Sequence, residues 1–474
     1  MSLEARSSED WDPELNGESA DRLLQKQASH RWRRVASATI VNVASVAERA
    51  DEALLPAVYR DVGEAFRATP TQLGNLTLYR ALAQAATSPL AGILSDLTDR
   101  RKVIAGAAAA WAVATYAFGS SMSYGPARFL RIANGAALGI AVPAMQSLIA
   151  DMYPQNQRGK AFGLMLFTSL AGATLAGIGA TTISRDIIAG ERGWRFAFHT
   201  CAVVSFITSI LVYLYVKDPV AGSRNGQSGS REDSVDHILR KAVSDVKFVV
   251  SIPSFRMVVL QGIVGTSPWN AILFLTMWLQ LLGFTDATAA MIYASFAFGS
   301  GFGGYVGGVL GDYAASISPN HGRIIIAQLS VASGLPCCYL LLCVFPRVQA
   351  SATSFGLLLF TMGCLINWCQ AGCNSPLFAE IVPVSMRSTI YAFDRSFEGA
   401  VAACAAPLVG IVAERVFGYH GKVFKYPDLE NAEALGSALL YCMAVPWLFC
   451  LIFYTPLHWL YAKDRERQQY HAIQ

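Results

Sequence analysis

Charge is scarce in this chain. Asp, Glu, Lys and Arg make up 15% of its 474 residues, while 53% are hydrophobic and the mean hydropathy is +0.38. A soluble domain carries about 25% charged residues, so too little polar surface is available to cover a water-facing fold of this size. Catalytic signatures are missing as well. There is no P-loop to drive ATP hydrolysis, and HExxH and GxSxG are absent, so an enzyme is not expected. The 10 cysteines lie in apolar runs, as at Cys337, Cys338, Cys364, Cys369 and Cys373. No CxxC pair stands beside a second one, which leaves neither a zinc site nor a disulfide framework. No metal or cofactor is expected. The net charge of +4 comes from basic residues scattered among loops, which excludes a nucleic-acid face. Residues 1–29 are polar and acidic with no apolar core, so neither a cleavable signal nor a transit peptide is expected there.

What the chain has in place of charge is length of apolar run. Segments such as Val103–Met122, Phe196–Val216 and Leu435–Tyr454 are long enough to cross ~30 Å of hydrocarbon at ~1.5 Å per residue. Hydropathy with loop punctuation predicts about twelve spans. In the first half these are 35–60, 71–95, 103–123, 126–151, 160–183 and 195–216; in the second, 255–282, 287–313, 324–345, 352–377, 388–417 and 435–461. The expected organisation is a disordered cytosolic tail over 1–34, a six-helix bundle over 35–216, a Ser/Gly-rich cytosolic linker over 217–252, a second bundle over 253–461 and a tail over 462–474. Lys and Arg concentrate on the side holding both termini, as the positive-inside rule requires of the cytosol.

The loops repeat. Asp151, Pro154 and Arg158 recur with the same spacing as Glu380, Pro383 and Arg387. Upstream, Gly92-Ile93-Leu94-Ser95-Asp96 with Arg100 and Arg101 is answered by Gly308-Val309-Leu310-Gly311-Asp312 with Arg323. Repeated apolar segments with repeated charged loops mark a duplicated transporter whose substrate site lies between its halves. Together with Gly92–Lys102 and the Arg128, Gly135, Gly139 and Pro143 pattern of span four, the chain resembles the major facilitator superfamily over almost its whole length. The resemblance implies an all-α membrane fold of two pseudo-symmetric six-helix bundles. Glu48-Arg49, Arg128 and Gly193-Trp194-Arg195 resemble the spinster-type branch and related plant and algal members. The branch implies a lysolipid-like solute and proton coupling. The carboxylate it carries in span four is absent here, with Gly135 standing in its place.

Charges inside a spanning helix are costly unless paired or wet, so each needs a reason. In span one, Glu48, Asp51 and Glu52 share one helical face, and Arg49 is three residues from Glu52. Counting from Arg34 puts Glu48 ~20 Å into the bilayer, near its middle. Three carboxylates on one stripe resist simultaneous ionisation, which suits proton coupling through Glu48, Arg49, Asp51, Glu52 and Arg80. A purely structural network neutralised by Arg49 and Arg80, or direct substrate binding, are the alternatives.

A cytosolic gate is expected from Asp96, Arg100, Arg101, Asp151 and Arg158 in the first half. Asp312, Arg323, Glu380, Arg387, Asp394, Arg395 and Glu398 form its counterpart in the second, with Arg100 and Arg101 both in reach of Asp151. The resemblance further implies that Asp96 meets the N-terminus of span eleven. It also implies a cavity lined from spans one, four, seven and ten, which offer Asn134, Gln261, Trp269, Asn270, Asn367, Trp368 and Gln370. Arg128 and Arg131 would attract an anionic group. The expected function is rocking-type transport of a small organic or amphiphilic solute, anionic or zwitterionic, by a monomer using protons in a lipid bilayer. The plasma membrane is the default location, and an endomembrane is the alternative. An uncoupled facilitator and a transporter-like solute sensor are the competing readings.

Overall fold

The computed structural model describes residues 13–153, 155–218, 244, 247–248, 250–381, 398–399, 401–420 and 427–473. In the first half it contains helices α1 (Pro13–Ala57), α2 (Tyr59–Phe66), α3 (Pro70–Leu97), α4 (Arg100–Ser120), α5 (Tyr124–Met152), α6 (Gln155–Ile183) and α7 (Gly193–Tyr215). The second half has α8 (Pro253–Ala271), α9 (Leu275–Leu281), α10 (Asp286–Ile317), α11 (Gly322–Tyr339), α12 (Phe345–Arg347), α13 (Ala352–Ile366), α14 (Ser375–Ile381), α15 (Ala405–Arg415), α16 (Leu429–Tyr454) and α17 (Leu457–Ile473). Short 3-10 or π turns join α8 to α9, α11 to α12 and α13 to α14. The one departure from an all-helical chain among the described residues is a small hairpin, Ile187–Ile188 with Glu191–Arg192, turned by Ala189 and Gly190 at positive φ.

Polar caps punctuate the apolar runs. Thr69 accepts from Gln72 N while the Gln72 side chain answers Thr69 N, a reciprocal box before Pro70. Asp99, Thr285, Ser351 and Asp428 cap α4, α10, α13 and α16 by a single side-chain acceptor bond each. Each supplies an acceptor to N–H groups that the helix leaves unpaired. Seven helical segments among the described residues are long and apolar enough to cross a membrane by themselves. α1 and α3 instead carry buried charges, so hydropathy alone undercounts them.

The duplication is visible in the packing. α3 pairs with α5, α4 with α7 and α1 with α6; α10 pairs with α13, α11 with α16 and α8 with α15. Glycines permit backbone contact in the α3–α5 and α10–α13 pairs. A Cβ at Gly135 would fall on the Arg80 carbonyl. Cβ atoms at Gly299, Gly303 and Gly307 would strike Phe360, Cys364 and Trp368. Between halves, α3 packs on α15 and α6 on α10.

Two expected boundaries need correction. The disordered tail over 1–34 gives way to helix from Pro13, because Leu23-Leu24-Gln25-Lys26-Gln27-Ala28 is a run of helix formers continuous with span one. The last span ends at Tyr454 and not at residue 461, since Pro456 interrupts it. Of the expected tail over 462–474, residues 462–473 belong to α17, a helix docked by Leu457, Tyr461 and Asp464. The central linker lies largely outside the described residues.

Candidate functional site

The carboxylate stripe of α1 meets α3, α4 and α5 in one network, buried at Glu48, Asp51, Arg80 and Asn134 and open at Arg49 and Glu52. Arg49 Nη1 donates to Glu52 Oε2 at 2.6 Å, and Arg80 Nη1 donates to Glu52 Oε1 at 3.1 Å. Glu48 is 3% exposed. It lies 3.5 Å from Arg49 Nε and 3.6 Å from Arg80 Nη2, close enough for attraction but outside hydrogen-bond geometry. Asp51 is fully buried and is held by neutral donors, Thr115 Oγ1 at 2.6 Å and Asn134 Nδ2 at 3.1 Å. Asn134 Oδ1 in turn accepts from Arg80 Nε at 3.2 Å. Asn134, expected to face substrate, therefore bridges a cation to a carboxylate. The three carboxylates are held unequally: Glu52 by two guanidinium hydrogen bonds, Asp51 by neutral donors and Glu48 by long-range attraction.

The two arginines of α5 separate. Arg128 is exposed and stacks over Phe129 at 4.8 Å. Arg131 is 2% exposed, its guanidinium 5.6 Å from the Phe118 ring centroid. Its Nε has no hydrogen-bond partner, and no carboxylate pairs with Arg131 among the described residues. Arg131 is thus a buried guanidinium that meets an aromatic face and has no ion pair among the described residues.

In the second half, α8, the π turn Gln370–Asn374 and α16 enclose a cavity of about 310 Å³. Gln261, Trp269, Asn367 and Gln370 line it, together with Asn374, Trp447 and Cys450; its walls all come from the second half. Asn270 is not among its walls, and Trp368 packs against Gly307 of α10. Glu398, assigned from sequence to the gate, lines this cavity. The π turn is the local cause of the opening, because an extra residue per turn breaks the regular ladder and re-aims its side chains.

At the end of the molecule where α4 begins, Arg100 is fully buried and binds Asp151 and Asp218 at 2.7 Å each, with Ser147 at 2.8 Å. Arg101, expected to share Asp151, pairs with the α4 cap Asp99 at 3.2 Å and covers the Tyr213 ring. The second half repeats the theme more loosely. Arg323 binds Asp312 at 2.8 Å and approaches Glu380 at 4.0 Å, and Arg465 of α17 holds Glu380 at 3.3 Å. The side chains of Asp96 and Arg158, and all of Arg387, Asp394 and Arg395, lie outside the described residues.

Sequence reasoning missed the opposite end. Arg60 of α2 is 2% exposed and grips Asp286 at the start of α10, Nη1–Oδ1 2.7 Å and Nη2–Oδ2 2.9 Å, while Gln280 donates to the same carboxylate. Thr71 N donates to Glu414 Oε1 at 2.8 Å, and the Tyr59 and Phe274 rings lie 4.9 Å apart. All three contacts join the halves. Arg60-Asp61 reads as ordinary loop charge after Pro56, and Asp286 as a helix-start carboxylate. Only their mutual fit distinguishes them.

The sequence and fold have relatives. A quinolone resistance protein of Staphylococcus aureus, NorA, is 26% identical over 174 residues, or 36% of this chain and 42% of that relative. The match thus spans less than half the relative's length. The multi-drug resistance efflux pump PmrA of Streptococcus pneumoniae is 25% identical over 383 residues, covering 80% of this chain and 84% of its own. The crystal structure of a bacterial homologue of the human lysosomal transporter Spinster, inward-facing and unoccupied, superposes with a TM-score of 0.77 at 17% identity. That likeness covers 91% of this chain and 98% of the other. A D-xylose–proton symporter gives 0.64 at 16% identity over 86% and 97%. The Major Facilitator Superfamily profile matches residues 41–407. With that match, on this fold, the chain belongs to the Major Facilitator Superfamily and is an integral, multi-pass membrane protein.

Proposed function

We propose that the chain is a proton-coupled secondary transporter, and that it moves a small organic or amphiphilic solute bearing an anionic or zwitterionic group. Its two halves, the first over 35–216 and the second from 253 to the end of the last span at Tyr454, about a linker at 217–252, rock around a site between them, and a single chain suffices. The observation that carries the coupling is the unequal hold on the α1 carboxylates. Glu48 is buried beside two guanidiniums that attract it without a hydrogen bond, so its protonation breaks no directed contact. On Glu52 or Asp51 a proton would compete with a donor, since both oxygens of each already accept a hydrogen bond. A proton on Glu48 removes one of the two negative charges beside Arg80, which keeps its bond to Glu52; the network then carries more net positive charge for an anionic solute, which links the two ligands. Arg131 offers the anion a cation with no ion pair among the described residues.

The positive-inside distribution puts the Arg100 end in the cytosol. The contacts of Arg60, Tyr59 and Thr71 then close the exterior face, and the Arg100 and Arg323 clusters serve the cytosolic gate. The test uses purified protein in liposomes carrying a pH-sensitive dye, challenged with a fluoroquinolone and lysophosphatidylcholine, both zwitterionic, and with neutral D-xylose as a control. Solute-dependent proton flux is expected for at least one zwitterion and not for D-xylose, and Glu48→Gln abolishes it while solute still binds. Flux undiminished in Glu48→Gln would sink the assignment.

A further inference from the structure

The cavity of the second half is polar without a charge to offer. No Lys, Arg or His lines it among the described residues, and Glu398 has a partner of its own. What the walls present is four primary amides, none of them used up. Gln261 Nε2 donates to Val258 O at 2.8 Å, and its oxygen accepts from the Cys450 thiol at 3.5 Å. Asn367 Nδ2 donates to Ser300 O at 2.8 Å and Gln370 Nε2 to Ser375 Oγ at 3.0 Å. The Asn374 side chain accepts from the Tyr454 hydroxyl at 2.8 Å. A primary amide has two N–H donors and an oxygen with two lone pairs. Each of the four therefore keeps at least one donor, and Asn367 and Gln370 also keep an unengaged oxygen among the described residues. None of these atoms is sealed in protein without a partner, so their unspent edges reach the open space.

The amides are gathered on one side. Asn367, Gln370 and Asn374 are three and four residues apart through the π turn, and all three line the cavity. Elsewhere the wall is largely apolar, with Trp269 of α8, Trp447 of α16, Val331 and Ile366. A ligand matched to this wall has one edge that both donates and accepts hydrogen bonds, and flat apolar faces for the indoles. A charged group would give up its water with no unpaired counter-charge to meet it. A sugar, with hydroxyls around the whole ring, would leave some of them against Val331 and Ile366. The volume of about 310 Å³ lies at the small end of ligand pockets, which run from about 300 to 1,000 Å³, and has room for one or two fused rings.

We infer that this cavity takes an uncharged heteroaromatic ring carrying adjacent N–H and C=O groups, a lactam-type edge. Asn367 and Gln370 meet that edge, and the Trp269 and Trp447 indoles meet the ring. The inference rests on the transport reading and deepens it: the charged group of the solute stays with the α1 network of the first half, and its uncharged ring is carried by the second.

Binding tests the site without requiring transport. The full chain in detergent is titrated calorimetrically at pH 7, with the heat into protein-free micelles subtracted. The probes are isoquinolin-1-one, a flat neutral lactam, its N-methyl derivative, which lacks the donor, and its fully saturated analogue, which keeps the lactam and loses the flat ring. The flat lactam is expected to bind saturably and at least about 5-fold more tightly than either analogue, as one net hydrogen bond or one aromatic contact implies. Gln370→Leu should remove the preference over the N-methyl derivative, and Trp269→Leu the preference over the saturated analogue. Gly265→Val, which extends into the cavity from α8 toward the Cys450 thiol, should weaken all binding, and it serves where the other two variants do not fold. No saturable binding by the unaltered chain, equal binding of the three probes, or preferences unchanged in the variants overturns the inference. Those results leave the Glu48 assignment standing, and a failed proton-flux assay leaves this one standing.

Discussion

Arg60 and Asp286 join the two halves of the molecule through a two-point guanidinium–carboxylate pair, 2.7 and 2.9 Å, from which water is nearly excluded on the arginine side. Such a pair is directional as well as strong, because the planar fork of the guanidinium matches the two carboxylate oxygens. It sits where α2 meets α10, beyond the apolar length of span one. In the rocking proposed above, this pair would act as a latch whose release lets the halves part.

Asp286→Asn should therefore weaken closure at this end. Truncating one partner of a buried, hydrogen-bonded charge pair costs about 2–5 kcal/mol, enough to shift a two-state equilibrium by tens-fold or more. Spin labels at Met122 and Val348, exposed in opposite halves, should report a longer distance population in the variant. An unchanged distance distribution would remove the latch from the mechanism.

Thr115 gives a test of the inner network that does not depend on transport. Its hydroxyl donates to Asp51 at 2.6 Å and accepts from Asn134 at 2.9 Å, all three groups being buried. Thr115→Val keeps the shape and deletes the donor, leaving a buried carboxylate with Asn134 alone. A stability loss of about 1–3 kcal/mol is expected, read as earlier thermal unfolding in detergent. A variant as stable as the parent would show that Asp51 is served by some other donor.

The spans were legible because their signal is additive: twenty apolar residues between polar caps such as Thr69 and Asp99 need no tertiary information. The α1 charges were legible for the same local reason, since Glu48, Asp51 and Glu52 share a helical face whatever surrounds them. What could not be read was the choice of partner. Arg100 and Arg101 are adjacent in sequence, yet one is buried against Asp151 and Asp218 and the other turns to its own helix cap. Asn134 looked like a ligand contact because an amide in a span is polar in either role. Its place was decided by the approach of α3 to α5, a property of both helices together. Arg60 and Asp286 lie 226 positions apart, and neither carries a local mark of the other.

Gly135 stands where the spinster-type resemblance would put a glutamate, and the packing shows why a carboxylate cannot simply be restored. A Cβ there would overlap the Arg80 carbonyl, and one at Gly139 would overlap the Gln84 carbonyl and Thr87 hydroxyl. Both positions are backbone-to-backbone contacts of α3 with α5. Gly135→Glu should therefore fail to yield a folded, monodisperse protein on size-exclusion chromatography, and so should not gain a proton site. Gly177→Ala in α6, where a Cβ meets nothing within 4 Å, should be tolerated and favour the helix by about 0.5–1 kcal/mol. Normal folding of Gly135→Glu would mean that α3 and α5 can separate at this level.

The docking of α17 should depend on pH, with the sign fixed by two histidines outside the spans. His321 Nδ1 and His458 Nδ1 lie 3.0 Å apart, and His458 Nε2 lies 3.1 Å from Gln328 Oε1. The amide oxygen can only accept, so His458 donates from Nε2 and accepts at Nδ1 from His321, and the neutral ring satisfies both contacts. Burial, then the neighbouring His321, lower the pKa of His458 below its ordinary 6.5. The docked state thus binds fewer protons than the undocked one. Docking is complete above the ordinary imidazole range and weakens as pH falls through and below it. Arg465, bonded to Pro319 O and Asn320 on the facing loop, adds to the repulsion once His458 is charged, while Asp464 on Ser254 N and Glu380 on Arg465 oppose it. Hydrogen exchange of the α17 amides, corrected for intrinsic rates, should accelerate between pH 7.5 and 5.5, and His458→Gln should flatten that dependence. Equal protection at both pH values in the unaltered chain would show that the Asp464 and Glu380 contacts hold the helix without the histidines.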